Sequence, residues 1–165
     1  AQNSCHTWPH AVEFPIRSWI AKDGERPHIV QKWTSEGGTG SSMIMLDIRD
    51  AQGYNPDRKE MTRFVKSGEV REVVPEGGIM HDAGTFTMEQ RTGYWVDMSM
   101  KVERAGFRAY ERGSLHQLFI NGKAVGLMCM SYAKEGEPQQ ADAAAKQNKP
   151  ICQQVLNSLV LEQAY

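Results

Sequence analysis

Three groups of side chains in this 165-residue sequence are of types that do chemistry. The first is the run Cys5-His6-Thr7-Trp8-Pro9-His10. The thiolate of Cys5 and the imidazoles of His6 and His10 suit a soft or borderline metal ion, zinc or copper. Their spacing is not that of a finger or ribbon, and a zinc site would need a fourth ligand from elsewhere. Packing of Cys5 and Trp8 on the rest of the chain is the preferred reading, with metal binding as the alternative.

The second group is the cysteines, Cys5, Cys129 and Cys152, whose odd number permits one disulfide and leaves one thiol over. Cys129 lies in an apolar strand segment and Cys152 in the apolar stripe of the last predicted helix. If that helix lies over the strand the two sulfurs can pair, which adds roughly 3 kcal/mol by restricting the unfolded chain. Otherwise they are two buried thiols acting as small apolar side chains. A bond would point to an oxidising compartment. A cysteine hydrolase needs an imidazole beside the thiol, and His116 is the nearest candidate, across the Asn121-Gly122 turn. Alternation does not assure that His116 and Cys129 share a face, and Met128 and Met130 flank the thiol, so this pairing is the weakest of the three chemistries.

The third group is the carboxylates Glu89, Asp97, Glu103 and Glu111, available for acid and base work but expected on the polar, solvated sides of strands. Trp95 interrupts one such polar face. It can anchor a partner or ligand, although a helix covering that face explains it equally well. Most of the nine methionines fall in predicted strands and read as adaptable core filler. The glycines of residues 36–42 lack the Lys-Ser/Thr ending and the strand-to-helix setting of a phosphate loop, and read as a hairpin loop.

These residues need elements to hold them, and the stretch from Thr85 to Tyr132 supplies the clearest ones. In Tyr94-Trp95-Val96-Asp97-Met98-Ser99-Met100-Lys101-Val102-Glu103 the even positions are apolar and most odd ones polar, a period of two that predicts a strand with one face on a core and the other in water. Leu115 to Ile120 and Ala124 to Tyr132 flank Asn121-Gly122, the pair best suited to a type I′ hairpin turn. An antiparallel meander follows. Upstream, His28 to Trp33 reads as a strand, and the near-continuous apolar run Met43 to Ile48 as a central strand covered on both faces. Val73-Val74 before Pro75 reads as a short extended piece.

Asn55-Pro56 predicts a helix start, with Asn55 as the cap, running to Ser67-Gly68 with Met61, Phe64 and Val65 on one face. Near the C-terminus a short helix is expected over Ala141 to Lys146. A second one follows Asn148-Lys149-Pro150, with Ile151, Cys152, Val155, Leu156 and Leu159 as its docking stripe. The order β-β-β-α-β-β-β-β-α implies an α+β fold, one mostly antiparallel sheet covered by helices. No linker divides the chain, so residues 1–165 are expected to form a single domain with an irregular segment at 1–13.

Length, charge and composition narrow the function further. With 19 Lys and Arg against 20 Asp and Glu the net charge is −1, and the basic residues are dispersed, which disfavours a nucleic-acid partner. No apolar run approaches the roughly 20 residues that span a bilayer. The start at Ala1 suits a mature protein whose signal peptide has been removed, hence a periplasmic or secreted location.

The chain resembles the sandwich fold shared by PsbP, the extrinsic protein of photosystem II, by a Ran-binding nuclear import factor and by bacterial periplasmic DcrB-like proteins. Carrying the resemblance are Pro15 to Trp19 ahead of His28-Ile29-Val30-Gln31-Lys32-Trp33, the helix at 56–67, Gly93-Tyr94-Trp95, Phe119-Ile120-Asn121-Gly122-Lys123, and Val155-Leu156-Asn157-Ser158-Leu159. The resemblance implies an α/β/α sandwich and a non-catalytic protein without a cofactor that binds a protein partner, as an adaptor, assembly factor or chaperone. It implies no site residues, since the matching features are turns and packing positions.

Overall fold

The structure, a computed structural model, describes residues 19–24, 26–36, 41–104 and 106–159. Cys5, His6 and His10, the expected irregular segment at 1–13 and the glycines at 37–40 lie outside the described residues.

Seven strands, β1 (Ile20–Lys22), β2 (Ile29–Thr34), β3 (Ser42–Asp50), β4 (Ile79–Met88), β5 (Arg91–Arg104), β6 (Phe107–Ile120) and β7 (Lys123–Lys134), form one antiparallel sheet in the order β1-β2-β3-β7-β6-β5-β4. Strands β4 to β7 are the expected meander, which begins earlier than Thr85, at Ile79. Asn121 and Gly122 take φ of 49° and 73°, and Ile120 pairs with Lys123, as a two-residue type I′ turn requires. In β2 the alternation of Ile29, Gln31 and Trp33 is broken by a register shift between Ile29 and Gln31.

Two helices, α1 (Arg58–Lys66) and α2 (Pro138–Ser158), cover opposite faces of the sheet. Because side chains alternate along β7, Leu127 and Cys129 meet α2 through Ile151, Cys152, Val155 and Leu156. On the other face Met130, with Tyr94, Val96 and Met98 of β5, meets Met61 of α1 and Val70. The fold is thus α+β, with the sheet between helices, and the methionines Met61, Met98 and Met130 are buried in the α1-side core.

Both helix starts differ from those read in the sequence. The cap of α1 is Asp57, not Asn55: Glu60 N–H donates to Asp57 Oδ1 at 2.8 Å and Asp57 N–H donates to Glu60 Oε2 at 3.0 Å. This reciprocal capping box satisfies two free amides where Asn55 would satisfy one. At the other end one helix runs through Pro150 where two were expected. Pro150 removes one helical hydrogen bond, but the turn on either side is held by the sheet. Asn148 Nδ2 donates to Ser42 Oγ at 2.7 Å instead of capping, and Cys152 is joined to Cys129. Val73 ends a 3-10 turn at Glu69–Val73, so only Val74 is extended.

Candidate functional site

Helix α2 packs over β7, β6 and β3 and leaves the adjoining part of the same sheet face, on β5 and β4, beside it. The result is a cleft of about 980 Å³, a size ordinary for ligand sites. Its floor comes from the odd positions of β5 and the even positions of β6, brought together by the pairs Trp95 with His116 and Asp97 with Ser114. One wall is the face of α2 with Asp142, Lys146, Lys149, Gln153 and Leu156, and the other is β4 with Phe86 and Met88 and the turn residue Glu89.

From Trp95 to Ser99 the odd side of β5 is therefore covered, which corrects the reading of that side as solvated; only its far end, Lys101 and Glu103, faces water. Ser99 is 1% exposed, Trp95 and Asp97 are half-buried, and Glu111, on the opposite face, is 7% exposed. Of the four carboxylates expected in solvent only Glu103 is exposed, where it meets Arg108. The physical reason is that alternation reports two faces of a strand but not whether a second layer covers the polar one.

Glycines shape the aromatic part of the floor. Gly84 pairs with Trp95, and a Cβ at Gly84 would stand 2.7 Å from Trp95 Nε1, so the indole lies over bare backbone. Gly93 does the same for Phe86, whose ring would meet an added Cβ at 2.8 Å. Phe86 in turn packs edge-on against the His116 ring at 5.7 Å between centroids. Glycines inside strands mark such close approaches, and they are the signal by which the shelf could have been noticed in the sequence.

The polar part is held by Arg112. Its fork bonds both oxygens of Asp97, with Nη2 3.1 Å from Oδ2; Nη1 also donates to the Met98 carbonyl at 3.1 Å, and Nε lies 3.4 Å from Asp142 Oδ1 on α2. The bidentate pair fixes the guanidinium on the floor, and the contact with Asp142 ties it to the helix wall. His81 Nε2 lies 2.7 Å from Ser99 Oγ, the separation of a nucleophile and its base. Yet Ser99 is enclosed and does not line the cleft, so this pair orients His81 and offers no hydroxyl to a substrate.

His116 does share the α2 face with Cys129, but it pairs with Leu127, and Cys129 pairs with Ser114. Cys129 is joined to Cys152 with Cα atoms 6.1 Å apart, within the ordinary disulfide range. A bonded sulfur is no nucleophile, which removes the thiol–imidazole reading. Burial holds the His116 imidazole below its ordinary protonation range, the charge of Lys149 adds to this, and Asp97 opposes it. Two polar atoms of the cleft residues are shielded without a hydrogen-bond partner, His116 Nδ1 and Glu89 Oε2. Among the described residues no three His, Cys, Asp or Glu side chains gather as a metal would need, and no helix is long and apolar enough to cross a membrane.

No protein-family model matches the chain, and no curated protein does. Among solved structures it is similar to PA94 of Pseudomonas aeruginosa, a protein of unknown function, with a TM-score of 0.44 and 13% identity over 90% of this chain and 86% of that one. It is similar to LpqN of Mycobacterium tuberculosis, involved in cell envelope biogenesis, with a TM-score of 0.42 and 14% identity over 79% and 75%. A third is the PsbP of the cyanobacterium Synechocystis sp. PCC 6803, with a TM-score of 0.40 and 11% identity over 79% and 78%. PsbP, which the sequence resembles, is thus among these structures, while DcrB and the Ran-binding factor are not among the three.

Proposed function

We propose that this protein is a non-catalytic, extracytoplasmic binding module of the bacterial envelope, which holds a segment of a partner protein in the cleft between α2 and β4–β5. The observation that carries the reading is the cleft itself. It sets a half-buried Trp95 on a glycine-backed shelf beside polar atoms that lack partners, the mixture of apolar surface and a few convergent polar groups by which binding sites are recognised. The Cys129–Cys152 bond supports an oxidising compartment. A non-catalytic role is supported by the bonding of Cys129 and by the enclosure of Ser99.

A photo-reactive amino acid placed at position 95 in cells tests this, with Phe107, 79% exposed at the β5–β6 turn, as the control position. A discrete adduct formed from position 95 and absent from position 107 is expected. No adduct, or the same adducts from both positions, overturns the proposal.

A further inference from the structure

The β4–β5 turn is built against its local preference. Glu89 and Gln90 take φ of 46° and 63°, the left-handed region that disfavours a residue with a Cβ, whereas the β6–β7 turn uses Asn121-Gly122 for the same geometry. Backbone strain of this kind gathers where it positions a functional group. Here it directs Glu89 to the cleft, which it lines, and leaves Oε2 shielded without a hydrogen-bond partner. A buried acceptor without a donor calls for one, and a carboxylate is best satisfied by a cation. The terminal torsion of a glutamate is broad, so the half-buried carboxylate can turn to meet an arriving group.

Farther along the cleft the carboxylates Asp97 and Asp142 are both engaged by Arg112, and two ammonium groups stand beside them. Lys146 and Lys149 line the α2 wall, and the ammonium of Lys149 acts on the His116 ring, which stands opposite Trp95. From Arg91, beside the turn, to Trp95 is four residues of β5, roughly 13 Å at about 3.3 Å per residue. Between the two ends lie the aromatic faces of Phe86 and Trp95.

On these grounds, and resting on the reading of the cleft as a site for a partner segment, we propose that the segment is an extended, dipolar peptide. A basic side chain meets Glu89, apolar residues lie over Phe86 and Trp95, and an acidic side chain about four residues away meets Lys146 and Lys149.

Calorimetric titration of the whole protein with capped pentapeptides tests this. One peptide carries Lys and Glu at its ends with three apolar residues between, and two others carry Gln in place of Lys or of Glu. The Lys–Glu peptide is expected to bind at least tenfold more tightly than either Gln peptide. Glu89→Gln should abolish the advantage of Lys over Gln while leaving the advantage of Glu. The double substitution Glu89→Asn, Gln90→Gly serves as a second variant, because it relieves the turn. It should melt no lower than the parent and still lose the Lys preference, which separates lost recognition from lost folding. Equal affinity for all three peptides, or a Lys preference that survives in both variants, overturns the inference. If the cross-link at position 95 forms while the charge preference is absent, this inference alone falls; if neither is seen, the reading beneath it falls as well.

Discussion

Burial and the Lys149 ammonium hold the His116 ring below its ordinary protonation range against the pull of Asp97. In the unfolded chain the same ring titrates near 6.5, so between that pH and the lower folded value only the unfolded state takes up the proton. The stability due to a neutral His116 is complete above about pH 6.5 and is lost as pH falls toward the folded value. From this group the loss is at most about 1.4 kcal/mol per pH unit. Urea unfolding at pH 7.5, 6.5 and 5.5 should therefore show a shallower pH dependence for His116→Gln than for the parent. Parallel curves would mean that the ring is solvated. Tyr94, pushed up to about 12 by burial on the opposite face, stays neutral throughout this range.

At the scale of elements, α1 is a nine-residue helix whose start depends on its cap more than on propensity. Asp57→Ala removes the acceptor for Glu60 N–H and dissolves the capping box, which should cost about 1 kcal/mol. Asn55→Ala should cost only a few tenths of that, since Asn55 is exposed and its side chain only meets Arg91 at 3.5 Å. Denaturant midpoints of the two variants rank the caps directly, and equal losses would restore Asn55 as the start signal. Helix α2 shows the opposite balance. A proline in its interior and no side-chain cap at its N-terminus are tolerated because one face is anchored by Ile151, Val155 and Leu156 in the core.

For the whole molecule the Cys129–Cys152 bond fastens that helix to the middle of the sheet across a sequence separation of 23. Closing such a loop in the unfolded chain is worth about 3 kcal/mol in the chain-entropy account. Cys129→Ser with Cys152→Ser should lower the unfolding free energy by about that amount, measured in denaturant without reductant. Alkylation of the unfolded, unreduced chain should label one cysteine, Cys5, and all three after reduction, with mass spectrometry counting the labels. Three labels before reduction would mean that the bond is absent and would remove the support for an oxidising compartment. Because α2 forms one wall of the cleft, loss of the bond should also weaken whatever the cleft holds.

What the sequence determined by itself is local: strands from a period of two, the β6–β7 hairpin from Asn121-Gly122, an amphipathic α1 from Met61, Phe64 and Val65. Each depends on residues a few positions apart, and from them came the element order and the α+β class. Asn55-Pro56 and Asp57 offer rival starts for α1, and the reciprocal bond with Glu60 decides between them. The break expected before Pro150 was overridden by contacts with Ser42 and Cys129, which are distant in the chain. The cleft was the least legible part. Alternation in β5 separated Trp95, Asp97 and Ser99 from the apolar set, but only the placing of α2 over β7 turned that polar side into a partly roofed floor. Glu89 looked like any solvated acid until the tertiary structure shielded its oxygen and supplied no donor. Whether a polar atom has a partner depends on everything packed around it, and spacing along the chain does not carry that information.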